Sequence, residues 1–120
     1  MGFWFHFISN LFIPLIMLVV GTLLFIFPPK KINNFIGYRT TRSMQSLEAW
    51  VFAQKHSGLI MAIVGLIMLI VTIVIYIPYY EANETTISTL ALIFTFVQLI
   101  VIMGSVMPTE IALKKKFDNK

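Results

Sequence analysis

The side chains that could carry chemistry are few and lie in short stretches of the sequence. The 120 residues include nine lysines and arginines, five carboxylates, two histidines and no cysteine. Without cysteine, a thiol nucleophile, a thiolate metal site and a disulfide are all excluded. His6 and His56 have no acidic or second histidine partner at helical spacing, and no Ser-His-Asp set is evident. We therefore expect no metal, no cofactor and no enzymatic activity.

Charged and aromatic residues between the first two apolar stretches offer several kinds of site. Arg39 and Arg42 could hold a phosphate or carboxylate, because a planar guanidinium offers a bidentate fork. Alternatively, Arg39 and Glu48 form a buried ion pair with Trp50 packed beside it. A third alternative is an enzyme that acts on lipid-linked substrates, with a headgroup site built from Arg39, Glu48 and His56.

The composition identifies the elements that must position these residues. The chain is 58% hydrophobic and 12% charged, with a mean hydropathy of +0.89, whereas soluble domains are about 25% charged. The segments 3–27, 58–80 and 87–107 contain no Asp, Glu, Lys or Arg, and about 20 helical residues suffice to cross a bilayer. We predict an all-α membrane protein in which residues 1–120 form one domain with three transmembrane helices.

The basic residues predict the orientation of these helices. All nine fall in the segment 28–57 or after residue 107, and cytoplasmic segments are rich in Lys and Arg. The N-terminus is therefore expected outside and the C-terminus inside, in contact with the lipid bilayer. The net charge of +4 does not by itself indicate direct nucleic-acid binding. Aromatic residues mark the opposite boundary as interfacial anchors: Phe3, Trp4, Phe5, Tyr76, Tyr79 and Tyr80.

The segment 28–57 should contain a helix of its own. Ser43 resembles an N-cap, and 44–56 holds good helix formers without Gly or Pro. Apolar side chains lie nearly all round this helix, which indicates a cytoplasmic interfacial helix between spans one and two. The same helix could continue into span two, with a bend at Ser57 and Gly58. Residues 108–120 are expected to form a cytoplasmic tail.

Small and polar residues within the spans predict helix contacts. Gly58, Ala62 and Gly65 form a smooth stripe that lets another backbone approach closely. That backbone could belong to span one, to span three or to a second copy, and we expect a homo-oligomer. Gln98 must face protein because lipid offers no hydrogen-bond partner, and either an interhelical hydrogen bond or a ligand contact would satisfy its amide.

One group of residues resembles a known family signature. The run Ile36-Gly37-Tyr38-Arg39-Thr40, then Ser43-Met44 and Glu48-x-Trp50, is similar to the signature of the SdpI/YfhL family of bacterial membrane proteins. Ser46 and Gln54 depart from that pattern, in which Asn, and His or Asn, are common. The resemblance implies that a ligand or partner motif is formed by Asn33, Gly37, Tyr38, Arg39, Thr40, Ser43, Glu48 and Trp50.

The resemblance also implies a function. The best-known member gives immunity to a secreted killing peptide and sequesters a transcriptional repressor at the membrane. We therefore expect a non-enzymatic protein of the bacterial cytoplasmic membrane that confers immunity to a membrane-active peptide toxin or senses it. Its partners would be the toxin and a cytoplasmic regulator. The alternative is a small transporter or a lipid- or anion-binding component. The Gly58, Ala62 and Gly65 stripe is the expected place for the toxin to be met.

Overall fold

The computed structural model describes residues 2–33 and 35–117. Its helices are α1, Phe3–Ile26; α2, Leu47–Tyr76, followed by the single 3-10 turn Ile77–Tyr79; α3, Glu84–Gly104; and α4, Val106–Phe117. Three of the helical stretches are long and apolar enough to cross a membrane. We call the end that carries the α1–α2 connection and α4 the basic end, and the opposite end, with Phe3 and the α2–α3 connection, the aromatic end.

The helices α1 and α2 are in backbone contact along a stripe of glycines. A Cβ added at Gly58 would lie 2.6 Å from the carbonyl oxygen of Gly21, and one added at Gly65 would lie 2.7 Å from the backbone nitrogen of Leu18. A Cβ at Gly21 would lie 2.5 Å from the nitrogen of Ala62. The partner of the stripe is therefore α1 of the same chain. The expectation that a toxin meets this stripe is wrong, because α1 already covers it.

The separate interfacial helix expected at 44–56 does not form. Its residues from Leu47 onward are the first turns of α2. Ser46, in an extended conformation, accepts a hydrogen bond from the Ala49 nitrogen at 3.0 Å and is the N-cap. Ser43 cannot take that role because its hydroxyl is bonded to the backbone of Thr40. The helix then continues through Ser57 and Gly58 without interruption.

The tail expected at 108–120 is largely helical, and its residues 118–120 lie outside the described residues. Only Ser105 separates α3 from α4. Thr109 and Leu113, one helical turn apart, are fully buried. Leu113 packs in a small apolar cluster with Ala49 and Ala53 of α2, so α4 lies against the beginning of α2.

Candidate functional site at the signature loop

An Asn-capped turn opens the signature. The side-chain oxygen of Asn33 accepts hydrogen bonds from the nitrogens of Phe35 and Ile36 at 2.9 and 2.7 Å, and its amide donates to the Lys31 carbonyl at 3.0 Å. Gly37 follows with a φ of +108°, which L side chains rarely adopt. The turn therefore depends on Asn33 for its hydrogen bonds and on Gly37 for its direction.

Gln54 of α2 binds the backbone of Tyr38 through both ends of its amide. The Tyr38 N–H donates to Gln54 Oε1 at 2.7 Å, and Gln54 Nε2 donates to the Tyr38 carbonyl at 2.8 Å. Gln54 is fully buried, and a Cβ added at Gly37 would lie 2.5 Å from its Oε1. Gly37 is thus required twice, for its backbone conformation and for the close approach of this amide.

Ser43 and Thr40 close the next turn reciprocally. The Thr40 N–H donates to Ser43 Oγ at 2.8 Å, and the Ser43 N–H donates to Thr40 Oγ1 at 3.1 Å. Ser43 is fully buried. These bonds fix the loop between the glycine turn and the start of α2.

The carboxylate of Glu110 on α4 contacts three polar side chains of this loop. The Tyr38 hydroxyl donates to Glu110 Oε2 at 2.6 Å, and the Thr40 hydroxyl donates to the same oxygen at 2.9 Å. Arg42 Nη1 lies 3.5 Å from Glu110 Oε1. Burial, together with the hydrogen bond to Glu110 and its negative charge, raises the pKa of Tyr38 well above its usual range. The phenol is therefore a neutral donor at cellular pH. We call Tyr38, Thr40, Arg42, Gln54 and Glu110 the signature clamp.

Two further hydrogen bonds tie the neighbouring segments to the clamp. The indole Nε1–H of Trp50, a fully buried residue, donates to the Pro29 carbonyl at 2.8 Å. His56 Nδ1 lies 2.9 Å from Thr109 Oγ1. The indole therefore anchors the end of the α1–α2 connection that follows span one, and the imidazole links α2 to α4.

Arg39 and Glu48 are not brought together. Both residues are exposed, and no ion pair between them is present in the described part of the chain. The carboxylate facing the loop is Glu110, which follows the third span. Sequence spacing could not identify Glu110, because its position depends on α4 folding back against α2. The buried Arg39–Glu48 pair considered from the sequence is therefore wrong.

A polar cluster that the sequence only partly indicated lies within the spans. Gln98 Nε2 donates at 2.8 Å to the backbone carbonyl of Asn10, which has no helical donor because Pro14 occupies the i+4 position. The Asn10 amide donates to Thr95 Oγ1 at 2.9 Å and accepts from the Tyr76 hydroxyl. The sequence identified Gln98 as buried, but it could not pair this amide with the Asn10 carbonyl.

The histidines take no part in a recognisable metal centre. His6 Nε2 lies 3.2 Å from Glu84 Oε1 at the aromatic end, and His56 is at the basic end. Within residues 2–33 and 35–117, no group of three or more His, Asp or Glu side chains could hold a metal ion.

The polar groups of the signature clamp bond to one another, an arrangement that holds the loop, α2 and α4 together.

Comparison with known proteins agrees with the sequence signature. The pattern of the SdpI/YfhL protein family matches residues 30–109. "Uncharacterized protein YfhL" of Bacillus subtilis (strain 168) is 42% identical over 53 residues, which cover 44% of this chain and 48% of that protein. The matched region thus spans about half the length of this relative. No solved structure matches the chain. With three apolar helices and a family match over two thirds of its length, the chain belongs to the SdpI/YfhL family of membrane proteins.

Proposed function

We propose that this protein is a non-enzymatic membrane protein that confers immunity to a secreted, membrane-active peptide toxin or senses it. The observation that carries the proposal is the division of the signature into two parts. Tyr38 and Thr40 are bonded inside the molecule to Glu110, whereas Arg39 and Glu48 are exposed. The internal bonds are suited to holding the loop in one conformation. The exposed side chains are suited to contacting a partner that recognises this conformation.

The inner part of the signature connects three elements of the chain. Gln54 fixes the loop to α2, and Glu110 fixes the same loop to α4. A displacement of α3 would carry α4 with it, because only Ser105 separates the two helices. Such a displacement would pull on the carboxylate that holds Tyr38 and Thr40. The signature clamp is therefore suited to respond to an event within the membrane.

Our proposed orientation places the aromatic end outside, since all nine basic residues lie toward the other end or in the C-terminal tail. A secreted peptide would then first meet an aromatic groove of about 500 Å³ between α1 and the end of α2. Trp4 and Tyr80 line this groove and are 57% and 58% exposed. Large amphipathic rings suit contact with an apolar peptide at the membrane interface.

A protection assay with three variants tests the proposal. Cells that express the protein should survive a toxin peptide encoded beside its gene better than cells with an empty vector. Glu110→Ala should abolish protection by opening the clamp. Arg39→Ala should impair protection or signalling without lowering the amount of protein in the membrane. Glu81→Ala, an exposed carboxylate of the α2–α3 connection, is the matched control and should protect fully.

Two results would contradict the immunity function. One is a survival curve that coincides with that of empty-vector cells. The other is the lack of any secreted peptide encoded nearby. Either result would favour the second candidate below.

The second candidate is binding of anionic lipid headgroups or phosphate at the basic end. It is favoured by the exposure of Arg39, Lys30 and Lys31 on the same loop, because several cations on one surface attract anionic lipid. Native mass spectrometry of the protein in detergent should then show more phosphatidylglycerol than phosphatidylcholine retained when the two lipids are supplied in equal amounts. Arg39→Gln should reduce that difference, and an unchanged difference would argue against a role for Arg39 in headgroup binding.

A further inference from the structure

The turn that Asn33 caps, which we call the signature turn, carries two large apolar side chains on its surface. Phe35 and Ile36 are 88% and 66% exposed, although their backbone nitrogens are both held by Asn33. Two neighbouring apolar side chains that an ordered turn leaves in water would forgo the free energy of burial. An apolar surface outside the chain would supply that burial.

The signature turn lies against the membrane-spanning part of the molecule. An apolar groove of about 290 Å³ separates it from α1 and α2. The groove is lined by Ile36, Gly37 and Tyr38 on one side and by Val20 and Leu24 of α1 and Met61 of α2 on the other. Val20 lies six residues before Ile26, the last residue of α1, which is roughly 9 Å along the helix axis. The chain that leaves α1 at Ile26 therefore folds back toward the span.

The length of α1 indicates the depth of the signature turn. Its 24 residues extend roughly 36 Å, about 6 Å more than the hydrocarbon core of a bilayer. If this excess is shared equally between the two ends, Leu24 lies at the edge of the core and Val20 lies inside it. The turn faces both residues across the groove, so it is level with the boundary between acyl chains and headgroups.

The backbone of the signature turn is suited to that depth. The N–H groups of Phe35 and Ile36 both donate to Asn33 Oδ1, and the N–H and carbonyl of Tyr38 are bonded to Gln54. Backbone groups without a partner are costly in lipid. Because side chains of the protein already bond these four groups, contact with lipid deprives none of them of a partner.

We propose that the signature turn is a membrane anchor that inserts Phe35 and Ile36 into the lipid leaflet at the basic end. The acyl chains of that leaflet cover both side chains and fill the groove beside Ile36. Lipid is the occupant because the opposite wall of the groove belongs to a span, and Val20 on that wall is 39% exposed on the lipid-facing surface.

The charges of the loop are compatible with this position. Lys30, Lys31 and Arg39 are exposed on the same loop, and long cationic side chains reach the headgroup phosphates while their stems lie in apolar surroundings. The anchor itself is carried by apolar side chains, so we expect it in neutral lipid as well. It depends neither on the proposed immunity function nor on headgroup binding by Arg39.

Spin labelling measures the depth of the turn. The chain has no cysteine, so Phe35→Cys and Ile36→Cys each take one nitroxide label in phosphatidylcholine nanodiscs. Oxygen concentrates in lipid and nickel-EDDA in water, so the ratio of the two accessibilities of a nitroxide rises with its depth. Labels at Leu23 and Phe27, which are 52% and 73% exposed at the end of span one, calibrate this ratio. The ratios at Phe35 and Ile36 should fall between those two.

Glu48→Cys is the reference for water. Glu48 is exposed and precedes Met61 by 13 residues in the uninterrupted helix α2, which places it roughly 20 Å farther from the span. Its label should give a lower ratio than the label at Phe27.

A variant of the cap tests whether the turn holds the anchor in place. Asn33→Ala, made together with Ile36→Cys, should lower the ratio at Ile36 toward the value at Glu48. Asn83→Ala is the matched control, because Asn83 is also a cap, accepts from the Thr86 nitrogen at 2.8 Å and lies at the aromatic end. It should leave the ratio at Ile36 unchanged. If Asn33→Ala does not fold, the ratios at Phe35 and Ile36 in the unaltered turn still decide.

Four outcomes overturn the proposal. Ratios at Phe35 and Ile36 equal to that at Glu48 would mean that the turn lies in water. Ratios that rise above this value only in phosphatidylglycerol would assign the contact to headgroup charge. Dipolar broadening between labels at Ile36, with a low ratio, would mean that a second copy covers the turn. An unchanged ratio at Ile36 in Asn33→Ala would mean that the capped turn does not position the anchor.

Discussion

The hydrogen bond between Tyr38 and Glu110 should be the strongest single connection of the signature clamp. The 2.6 Å distance is typical of a hydroxyl that donates to a charged carboxylate, and such bonds contribute about 1.5–3 kcal/mol. The Arg42 pair is longer, at 3.5 Å, and the Arg42 side chain is 41% exposed. Pairs of that kind contribute only about 0.2–1 kcal/mol. Removal of the hydroxyl should therefore lower stability more than removal of the guanidinium.

A double-mutant cycle measures the strength of the Tyr38–Glu110 interaction. Tyr38→Phe and Glu110→Ala are made singly and together, and the free energy of unfolding is followed by titration with SDS in mixed micelles. Trp50 is buried next to the clamp and serves as the fluorescent reporter, with Trp4→Phe as the background, since the chain has two tryptophans. We expect a coupling energy of about 1.5–3 kcal/mol for Tyr38 with Glu110.

The control cycle uses Glu48 in place of Glu110. Glu48 is an exposed carboxylate at the same end of the molecule. Tyr38→Phe and Glu48→Ala have no contact and should be additive within about 0.5 kcal/mol. If the Tyr38–Glu110 cycle is also additive within that margin, the carboxylate does not hold the loop. The proposed division of the signature into an inner and an exposed part would then be refuted.

Three further outcomes follow from the packing, the charges and the orientation. Gly58→Ala should destabilise the protein by about 1–3 kcal/mol, because its Cβ meets the backbone of α1. Gly104→Ala, which meets nothing within 4 Å, should be neutral or stabilising by up to about 1 kcal/mol in the same SDS titration. Because the pKa of Tyr38 is raised in the folded state, its contribution to stability should be present below pH ~10. This contribution should be lost as the pH rises above ~10. The Tyr38→Phe variant should not show this fall in stability at high pH. Cysteines placed at Ala82 and Lys115 should react unequally with an impermeant thiol reagent in intact cells, and equal labelling would contradict the orientation.

The sequence was sufficient for the membrane-spanning helices because their signal is local. Uninterrupted apolar stretches predicted segments 3–27, 58–80 and 87–107, and the structure has α1, α2 and α3 at these places. The start of α2 was misplaced because Ser43 and Ser46 both have the chemistry of an N-cap. Which serine caps the helix depends on Thr40, whose backbone binds the hydroxyl of Ser43. Propensity alone does not distinguish two serines three residues apart.

The parts of the site that the sequence missed all depend on contacts between distant segments. Glu110 lies about 70 residues from its partners Tyr38 and Thr40, and no spacing rule connects residues so far apart. A local signal for α4 was present, because Thr109, Leu113 and Phe117 recur at intervals of four. That spacing is typical of one helix face and predicts a helix in the tail. It does not identify α2 as the helix against which that face packs.

The different ways in which the helices are held indicate where the molecule can move. The helices α1 and α2 meet through glycines in backbone contact, which leaves little freedom. Within the most apolar stretch of each span, the buried share is smallest in the third. It is 11% there, compared with 28% in α1 and 22% in α2. Polar bonds through Asn10 hold it at one place, and the Glu110 carboxylate holds its extension α4 at another. Segments with few buried apolar contacts open at the lowest free energy. An event within the membrane would therefore act on α3 first, and the clamp at Glu110 is the part of the signature that α3 reaches through α4.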